Sequence, residues 1–169
     1  MRTWALSILA LCLLLAACGG DNASGGPVGS PRETQQELPE GSPTFAPARV
    51  LIDTEQGSVI IDAEKAETDE QKAFGLMHRE SLAPDAGMVF LYFEDKECCF
   101  YMKDTLIPLS IAFFDEEGII VKILDMEPCR VEECELYAAG VPYRGALEVN
   151  KGTFERLGVR VGDRITITH

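Results

Sequence analysis

The residues best suited to hold a ligand are six polar side chains in three segments of the chain. Arg79 and Lys103 are cations of the kind that bind a carboxylate, a phosphate or a sugar acid. Asp104 and Glu148 are carboxylates that, as a pair, could perform acid–base chemistry or bind hydroxyl groups. The candidate ligand-binding residues are therefore Arg79, Lys103, Asp104, Thr105, Glu148 and Asn150.

The same side chains also fit a purely structural alternative. In that alternative Arg79 forms an ion pair with Glu148, while Asn150 and Thr105 tie turns through hydrogen bonds. Both interpretations are open from the sequence, because each needs only that these segments meet in the fold.

No set of residues typical of catalysis accompanies these candidates. The two histidines, His78 and His169, do not have the spacing of metal ligands. The domain has neither a Gly-x-Ser-x-Gly elbow nor a Walker-type phosphate loop. We therefore predict no catalytic residue, no bound metal and no cofactor.

Four of the six cysteines lie in the folded part of the chain: Cys98, Cys99, Cys129 and Cys134. An even number outside the cytoplasm favours disulfides. Cys129 and Cys134 close a short loop, so their pairing is the simplest arrangement. The other pairings join Cys98 and Cys99 to that loop, and a vicinal Cys98–Cys99 bond would be strained. A zinc site of all four cysteines, or free thiols, are the alternatives.

The N-terminus predicts an exported, lipid-anchored protein. A basic start precedes an apolar run, Trp4 to Leu15, that is shorter than the about 20 residues needed to span a bilayer. The run ends in Leu15-Ala16-Ala17-Cys18, which resembles the lipobox of bacterial lipoproteins. By that resemblance residues 1–17 are a signal peptide and Cys18 carries the lipid. An ordinary signal peptide with a chance cysteine is the alternative.

The composition changes after Cys18. Gly, Ser, Pro and other polar residues dominate up to Pro47, and such a segment buries too little apolar surface to offset the entropy lost on ordering. We predict a disordered tether over residues 18–47 and one globular domain over residues 48–169. The net charge of −13 argues against nucleic-acid binding and against docking of the folded surface on anionic lipid.

Short apolar and β-branched runs separated by turn residues predict a β-rich α+β fold, a compact antiparallel β-barrel or sandwich. Residues 49–54 and 58–62 have the pattern of a hairpin around Gly57. The other predicted strands cover residues 88–93, 100–102, 109–114, 119–124, 146–149 and 164–168.

Two segments depart from the strand pattern. Thr68 and Gln71 have the spacing of a capping box, and apolar residues then recur on one helical face, which predicts the main helix over residues 69–78. Gly75 lowers helix propensity there by roughly 1 kcal/mol relative to Ala, which indicates close backbone packing as a compensation. A short second helical segment is predicted over residues 151–157.

Several motifs of the domain occur in the order and spacing of a known family. They are Gly75-Leu76-Met77-x-Arg79, Gly87-Met88-x-Phe90, Phe100-Tyr101-Met102-Lys103-Asp104-Thr105-x-Ile107-Pro108-Leu109, Ala146-Leu147-Glu148-Val149-Asn150 and Gly162-Asp163. The pattern resembles domain-of-unknown-function family 192, although Tyr101 and Asp104 replace the Trp and Asn of its usual central motif. The resemblance implies a compact β-rich domain and, because the family has no agreed activity, no particular function.

Three functions are compatible with these observations. The first is a non-catalytic ligand-binding or accessory module of the cell envelope, held at a bacterial membrane by lipidated Cys18. Its partners would be the membrane, through the anchor, and a saccharide or an envelope protein. The second is a small hydrolase that acts on envelope saccharides through Asp104 and Glu148. The third is a structural or assembly protein.

Overall fold

The computed structural model describes residues 38–168, so the predicted signal peptide, Cys18 and His169 lie outside the described residues. Seven strands and two short helices alternate along this part of the chain. In chain order they are β1 (Ala46–Thr54), β2 (Gly57–Ala66), α1 (Asp69–Phe74), β3 (Ala86–Lys96), β4 (Leu109–Phe114), β5 (Ile120–Met126), β6 (Tyr143–Asn150), α2 (Thr153–Arg156) and β7 (Arg164–Thr168).

All seven strands form one sheet in the order β5-β4-β6-β3-β2-β1-β7. Neighbouring strands are antiparallel except β2 and β3, which are parallel. A parallel pair cannot be joined by a tight turn, and the crossover between these two strands contains α1. The β-rich α+β class is confirmed, and the parallel pair is the departure from a fully antiparallel sheet.

The sheet is not closed, but its two edge strands meet at one end. Ile119, just before β5, bridges to Arg164 at the start of β7. The Ile120 amide donates to the Asp163 carbonyl at 2.9 Å, and the Ile165 amide donates to the Gly118 carbonyl at 2.7 Å. These bonds occupy backbone groups that an open sheet would leave exposed at its edges, and they give the sheet a barrel-like curvature.

Each face of the curved sheet carries its own hydrophobic cluster. Val89 on β3 and Leu147 on β6 belong to the first cluster, which Phe154 of α2 completes. Met88 and Phe90, the neighbours of Val89, point to the opposite face and belong to the second cluster. The continuous apolar run of β3 therefore reflects a strand covered on both faces, as alternating side chains require.

The predicted strands agree with the observed ones at most positions. Strands 109–114 and 164–168 are confirmed to the residue, and the 49–54/58–62 hairpin is confirmed with longer arms. The prediction of a strand at residues 100–102 is wrong, because only isolated bridges join Phe100 to Tyr137 and Lys103 to Cys129.

The main helix begins as predicted and ends early. Thr68 accepts a hydrogen bond from the Gln71 amide at 3.2 Å, and the Gln71 side chain accepts from the Thr68 amide at 3.0 Å, which confirms the capping box. The helix stops at Phe74 rather than residue 78, because Gly75 adopts φ +50°. The second helical segment, Thr153–Arg156, lies within its predicted range.

The folded region starts slightly before the predicted boundary at residue 48. Strand β1 begins at Ala46. The Thr44 carbonyl accepts a hydrogen bond from the Gln71 side chain at 2.7 Å, and the Phe45 ring lies 6.5 Å from that of Phe74. The last residues assigned to the tether therefore pack against α1.

Candidate functional site

The most unusual polar group of the domain is Glu148, near the end of the central strand β6. It is in register with Met88 on β3 and Ile111 on β4, so it shares the face of the second hydrophobic cluster. Only 5% of the surface of Glu148 is exposed to solvent. An ionisable side chain thus occupies a position at which both cross-strand neighbours are apolar and fully buried.

Glu148 lines a small cavity of about 80 Å³ between the sheet and the elements that cover it. One wall is the end of α1 and the residues just after it, and the opposite wall is the irregular segment that precedes β4. The lining residues are Lys72, Ala73, Phe74, Gly75, Leu76, Met77, Phe90, Tyr92, Cys99, Phe100, Tyr101, Thr105 and Glu148.

Burial controls the electrostatics of this cavity. Desolvation raises the pKa of Glu148 from 4.5 to about 8. The hydrogen bonds found among residues 38–168 include none to its carboxylate, which belongs to a residue that lines the cavity. At neutral pH the side chain therefore keeps its proton and is a neutral acid that can both donate and accept a hydrogen bond.

Tyr92 is the polar aromatic wall of the cavity. Burial, with a smaller contribution from the charge of Glu148, raises the pKa of Tyr92 to about 12. The Lys72 ammonium lies 4.8 Å from the centre of the Tyr92 ring, and the Lys96 ammonium lies 5.8 Å from it. These distances are typical of cation–π contacts.

The cavity depends on the early end of α1. A side chain at Gly75 would meet the Phe90 ring at 3.3 Å, so only glycine combines this approach with φ +50°. The close backbone packing that the sequence indicates for Gly75 is confirmed. Further along, the His78 amide donates to the Asp104 carbonyl at 2.8 Å and links the two walls of the cavity.

The structure brings together two of the six predicted ligand-binding residues. Thr105 is buried and lines the same cavity as Glu148, with its hydroxyl 3.4 Å from the Lys103 carbonyl oxygen. Lys103 and Asp104 directly precede Thr105 in sequence, but both are exposed and neither lines the cavity. The carboxylate pair of Asp104 and Glu148 is therefore not assembled at this site.

Arg79 and Asn150 serve other parts of the fold. The expected ion pair of Arg79 with Glu148 is wrong, because Arg79 pairs with Glu64 on β2. It lines a separate groove of about 620 Å³, and its Nε is buried without a hydrogen-bond partner among the described residues. The Asn150 amide donates to the carbonyls of Leu82 and Ala83 at 2.9 and 3.1 Å, so this residue ties a turn, as the structural alternative expects.

Sequence reasoning missed Lys72, Tyr92 and Cys99 as parts of the site. Tyr92 stands in an apolar run, where its hydroxyl is the one polar group and the only local signal. Lys72 is an ordinary residue of an amphipathic helix, and it lines the cavity only because α1 lies over this face. The helix pattern alone could not have identified Lys72.

The cysteines divide into two pairs. Cys129 and Cys134 form a disulfide, the pairing that their short loop predicts. Cys98 and Cys99 are free thiols, with their sulfur atoms 2.8 Å apart. Within residues 38–168 no three side chains of His, Cys, Asp or Glu are grouped so as to hold a metal ion. No helix in that range is long and apolar enough to cross a membrane.

Comparison with solved structures shows two close relatives of the domain. One is a candidate transcription regulator from Sinorhizobium meliloti 1021, with 34% identity, a TM-score of 0.68, and coverage of 75% of this chain and 97% of that one. The other is a protein of unknown function from Novosphingobium aromaticivorans DSM 12444, with 27% identity, a TM-score of 0.66, and coverage of 78% and 99%. No curated protein matches.

The family assignment rests on nearly the whole domain. Residues 50–167 match DUF192, described as an uncharacterized ACR family. This range includes every motif on which the resemblance was based, and it includes Glu148 and all other residues that line the cavity. The chain is therefore a member of domain-of-unknown-function family 192.

Proposed function

We propose that this protein is a lipid-anchored, non-catalytic ligand-binding or accessory module of the bacterial cell envelope, and that its ligand enters the Glu148 cavity. The observation that carries the proposal is a carboxyl group that lies within an apolar cluster and lines a cavity. A ligand that enters the cavity can form a hydrogen bond to this carboxyl group, and such a bond contributes about 0.5–1.5 kcal/mol.

The chemistry of the walls favours an uncharged hydroxyl-bearing ligand. A protonated Glu148 offers one donor and one acceptor, which matches a hydroxyl group. Tyr101, which is 44% exposed, presents aromatic surface at the cavity for the C–H face of a sugar ring. One water needs about 10–15 Å³ of cavity volume, so the cavity of about 80 Å³ has room for several water-sized groups. It therefore admits one substituent of a saccharide whose remainder stays outside.

Two other functions find less support in the site. A glycosidase needs two carboxyl groups about 5–9.5 Å apart across the scissile bond, and Glu148 is the one carboxyl residue among those that line the cavity. The Sinorhizobium relative is named as a regulator of transcription, but a chain with a net charge of −13 repels nucleic-acid phosphates.

The envelope location is supported by the N-terminal sequence alone, and it has its own test. Replacing Cys18 in the full-length chain removes the proposed site of lipidation. Cells that express each protein are grown with a radioactive fatty acid and then fractionated. The wild-type protein should carry the label, and the Cys18→Ala variant should not. Equal labelling of both proteins would refute the anchor while leaving the ligand site untouched.

Ligand binding is tested by thermal shift of the full chain against monosaccharides, oligosaccharides, sugar acids and wall muropeptides. A ligand at 100 times its Kd stabilises the fold by about 2.7 kcal/mol, which is a clear shift in Tm. The shift should disappear in Glu148→Leu and Thr105→Val and persist in Glu94→Gln, which changes an exposed carboxylate outside the cavity. A shift that survives Glu148→Leu would place the ligand elsewhere, and no shift with any compound would favour an assembly role.

A further inference from the structure

The free thiols of Cys98 and Cys99 form a second chemically active cluster. Their sulfur atoms are 2.8 Å apart, closer than two non-bonded sulfur atoms usually approach. Cys98 is exposed to solvent, whereas Cys99 is half-buried at the wall of the Glu148 cavity. The disulfide between Cys129 and Cys134 occupies the other two cysteines of the domain, so each thiol of this pair has only its neighbour as a partner.

Hydrogen bonds hold the backbone around both thiols. The Tyr143 hydroxyl donates to the Cys98 carbonyl at 2.7 Å. On the other side, Phe100 and Tyr137 exchange two backbone hydrogen bonds of 2.9 and 2.8 Å. These hydrogen bonds hold the backbone between the two cysteines and just after them, which favours the observed arrangement of the sulfur atoms.

The two thiols differ in reactivity. The hydrogen bond between the two sulfur atoms raises the pKa of Cys99. Cys99 therefore keeps its proton to a higher pH than an ordinary cysteine does, whereas Cys98 is the cysteine that is exposed to solvent. Attack on a disulfide requires a thiolate that solvent can reach, which makes Cys98 the nucleophile and Cys99 the resolving residue.

We propose that Cys98 and Cys99 are a redox-active dithiol that undergoes thiol–disulfide exchange with disulfide-bearing molecules and is itself converted to a vicinal disulfide, which is readily reduced again because it is strained. In the first step the Cys98 thiolate forms a bond to one sulfur of the partner disulfide, whose sulfur–sulfur bond breaks and whose leaving thiolate takes up a proton. In the second step the Cys99 sulfur attacks the Cys98 sulfur and releases the other partner thiol, again with a proton. Two protein thiols are oxidised and one disulfide is reduced to two thiols.

The test uses the full chain equilibrated with mixtures of oxidised and reduced glutathione, then alkylated and digested with trypsin. Cleavage after Lys96 and Lys103 yields one peptide, residues 97–103, that contains both thiols and no other cysteine. In excess oxidised glutathione we expect this peptide to carry no alkyl group and to be about 2 Da lighter than the unmodified dithiol peptide, because a disulfide has formed. In excess reduced glutathione we expect the doubly alkylated peptide.

Two single variants separate the roles of the thiols. Cys99→Ser, which leaves the exposed thiol, should accumulate a mixed disulfide with one glutathione several-fold faster than Cys98→Ser, because solvent reaches Cys98 more readily. A wild-type peptide that ends with two glutathione adducts, or that stays doubly alkylated at every ratio, would overturn the proposal. So would a crosslink of this peptide to Cys129 or Cys134. None of these outcomes depends on a ligand in the Glu148 cavity.

Discussion

Glu148 on β6 lies in register with Met88 on β3, and both side chains are buried on the same face of the sheet. A carboxyl group therefore occupies a cross-strand position in the middle of an apolar cluster. The sheet provides no hydrogen-bond donor for it in this position, so its energetics are dominated by desolvation.

Stability should fall as the pH rises from about 4.5 to about 8. The folded protein holds the Glu148 proton up to a pKa of about 8, whereas the unfolded chain releases it near the ordinary value of 4.5. Between these values the unfolded state binds fewer protons, so the free energy of unfolding decreases, with a limiting slope of about 1.4 kcal/mol per pH unit. Urea denaturation at intervals from pH 4 to 9 measures this slope.

The control for that experiment is the Glu148→Gln variant, which cannot ionise. Its unfolding free energy should lose this component of the pH dependence, and the variant should be more stable than the wild type at pH 8. Glu94→Gln, at an exposed position, should follow the wild-type profile. Parallel profiles for wild type and Glu148→Gln would show that the buried carboxyl does not titrate as described.

The ion pair of Arg79 and Glu64 should stabilise the fold more than the pair of Arg49 and Asp62. The Arg79 side chain is 16% exposed, whereas those of Arg49 and Asp62 are more than half exposed. Glu64→Gln leaves a largely buried guanidinium without its counter-charge and should cost about 1–2 kcal/mol. Asp62→Asn, the matched change on the same strand, should cost less than about 0.5 kcal/mol. Equal losses in urea denaturation would contradict this ranking.

Gly87 should not tolerate alanine, because β6 leaves no room for a side chain there. A Cβ at this position would lie 2.6 Å from the carbonyl oxygen of Glu148, and backbone cannot move aside as a side chain can. Gly87→Ala should cost about 2–3 kcal/mol and weaken amide-exchange protection between β3 and β6. Gly140 has φ +75°, and an added Cβ there meets no other atom. Gly140→Ala should therefore lower the free energy of unfolding by only about 1 kcal/mol, which is the cost of the backbone strain. Similar losses in both variants would show that crowding at Gly87 is not the cause.

The disulfide of Cys129 and Cys134 should contribute modestly to the free energy of unfolding, because it closes only a short loop. A sequence separation of 5 corresponds to about 2 kcal/mol in the chain-entropy description. The double variant Cys129→Ser/Cys134→Ser should lose this amount in thermal unfolding and should respond to reductant less than the wild type. If reductant lowers the Tm of both proteins equally, the disulfide of Cys129 and Cys134 is not the cause of the shift in Tm.

Local signals in the sequence predicted much of the fold. The capping box of Thr68 and Gln71, the hairpin around Gly57 and strands β4 and β7 all appear where short patterns indicate them. Each depends on hydrogen bonds between near neighbours or on the alternation of side chains along one strand. The nearby Cys129 and Cys134 are likewise a local pair, and the motif spacing of family 192 spans the matched range.

Relationships between distant segments were decided by the tertiary structure alone. The sequence shows that Glu148 lies in a strand, but its cavity exists because α1 and the segment around Thr105 cover that face of the sheet. Arg79 forms an ion pair with Glu64 rather than with Glu148, because the parallel pairing of β2 with β3 determines which carboxylate lies beside Arg79. Strand order and partner choice depend on how whole elements pack, and that free energy is shared among many residues rather than encoded at one position.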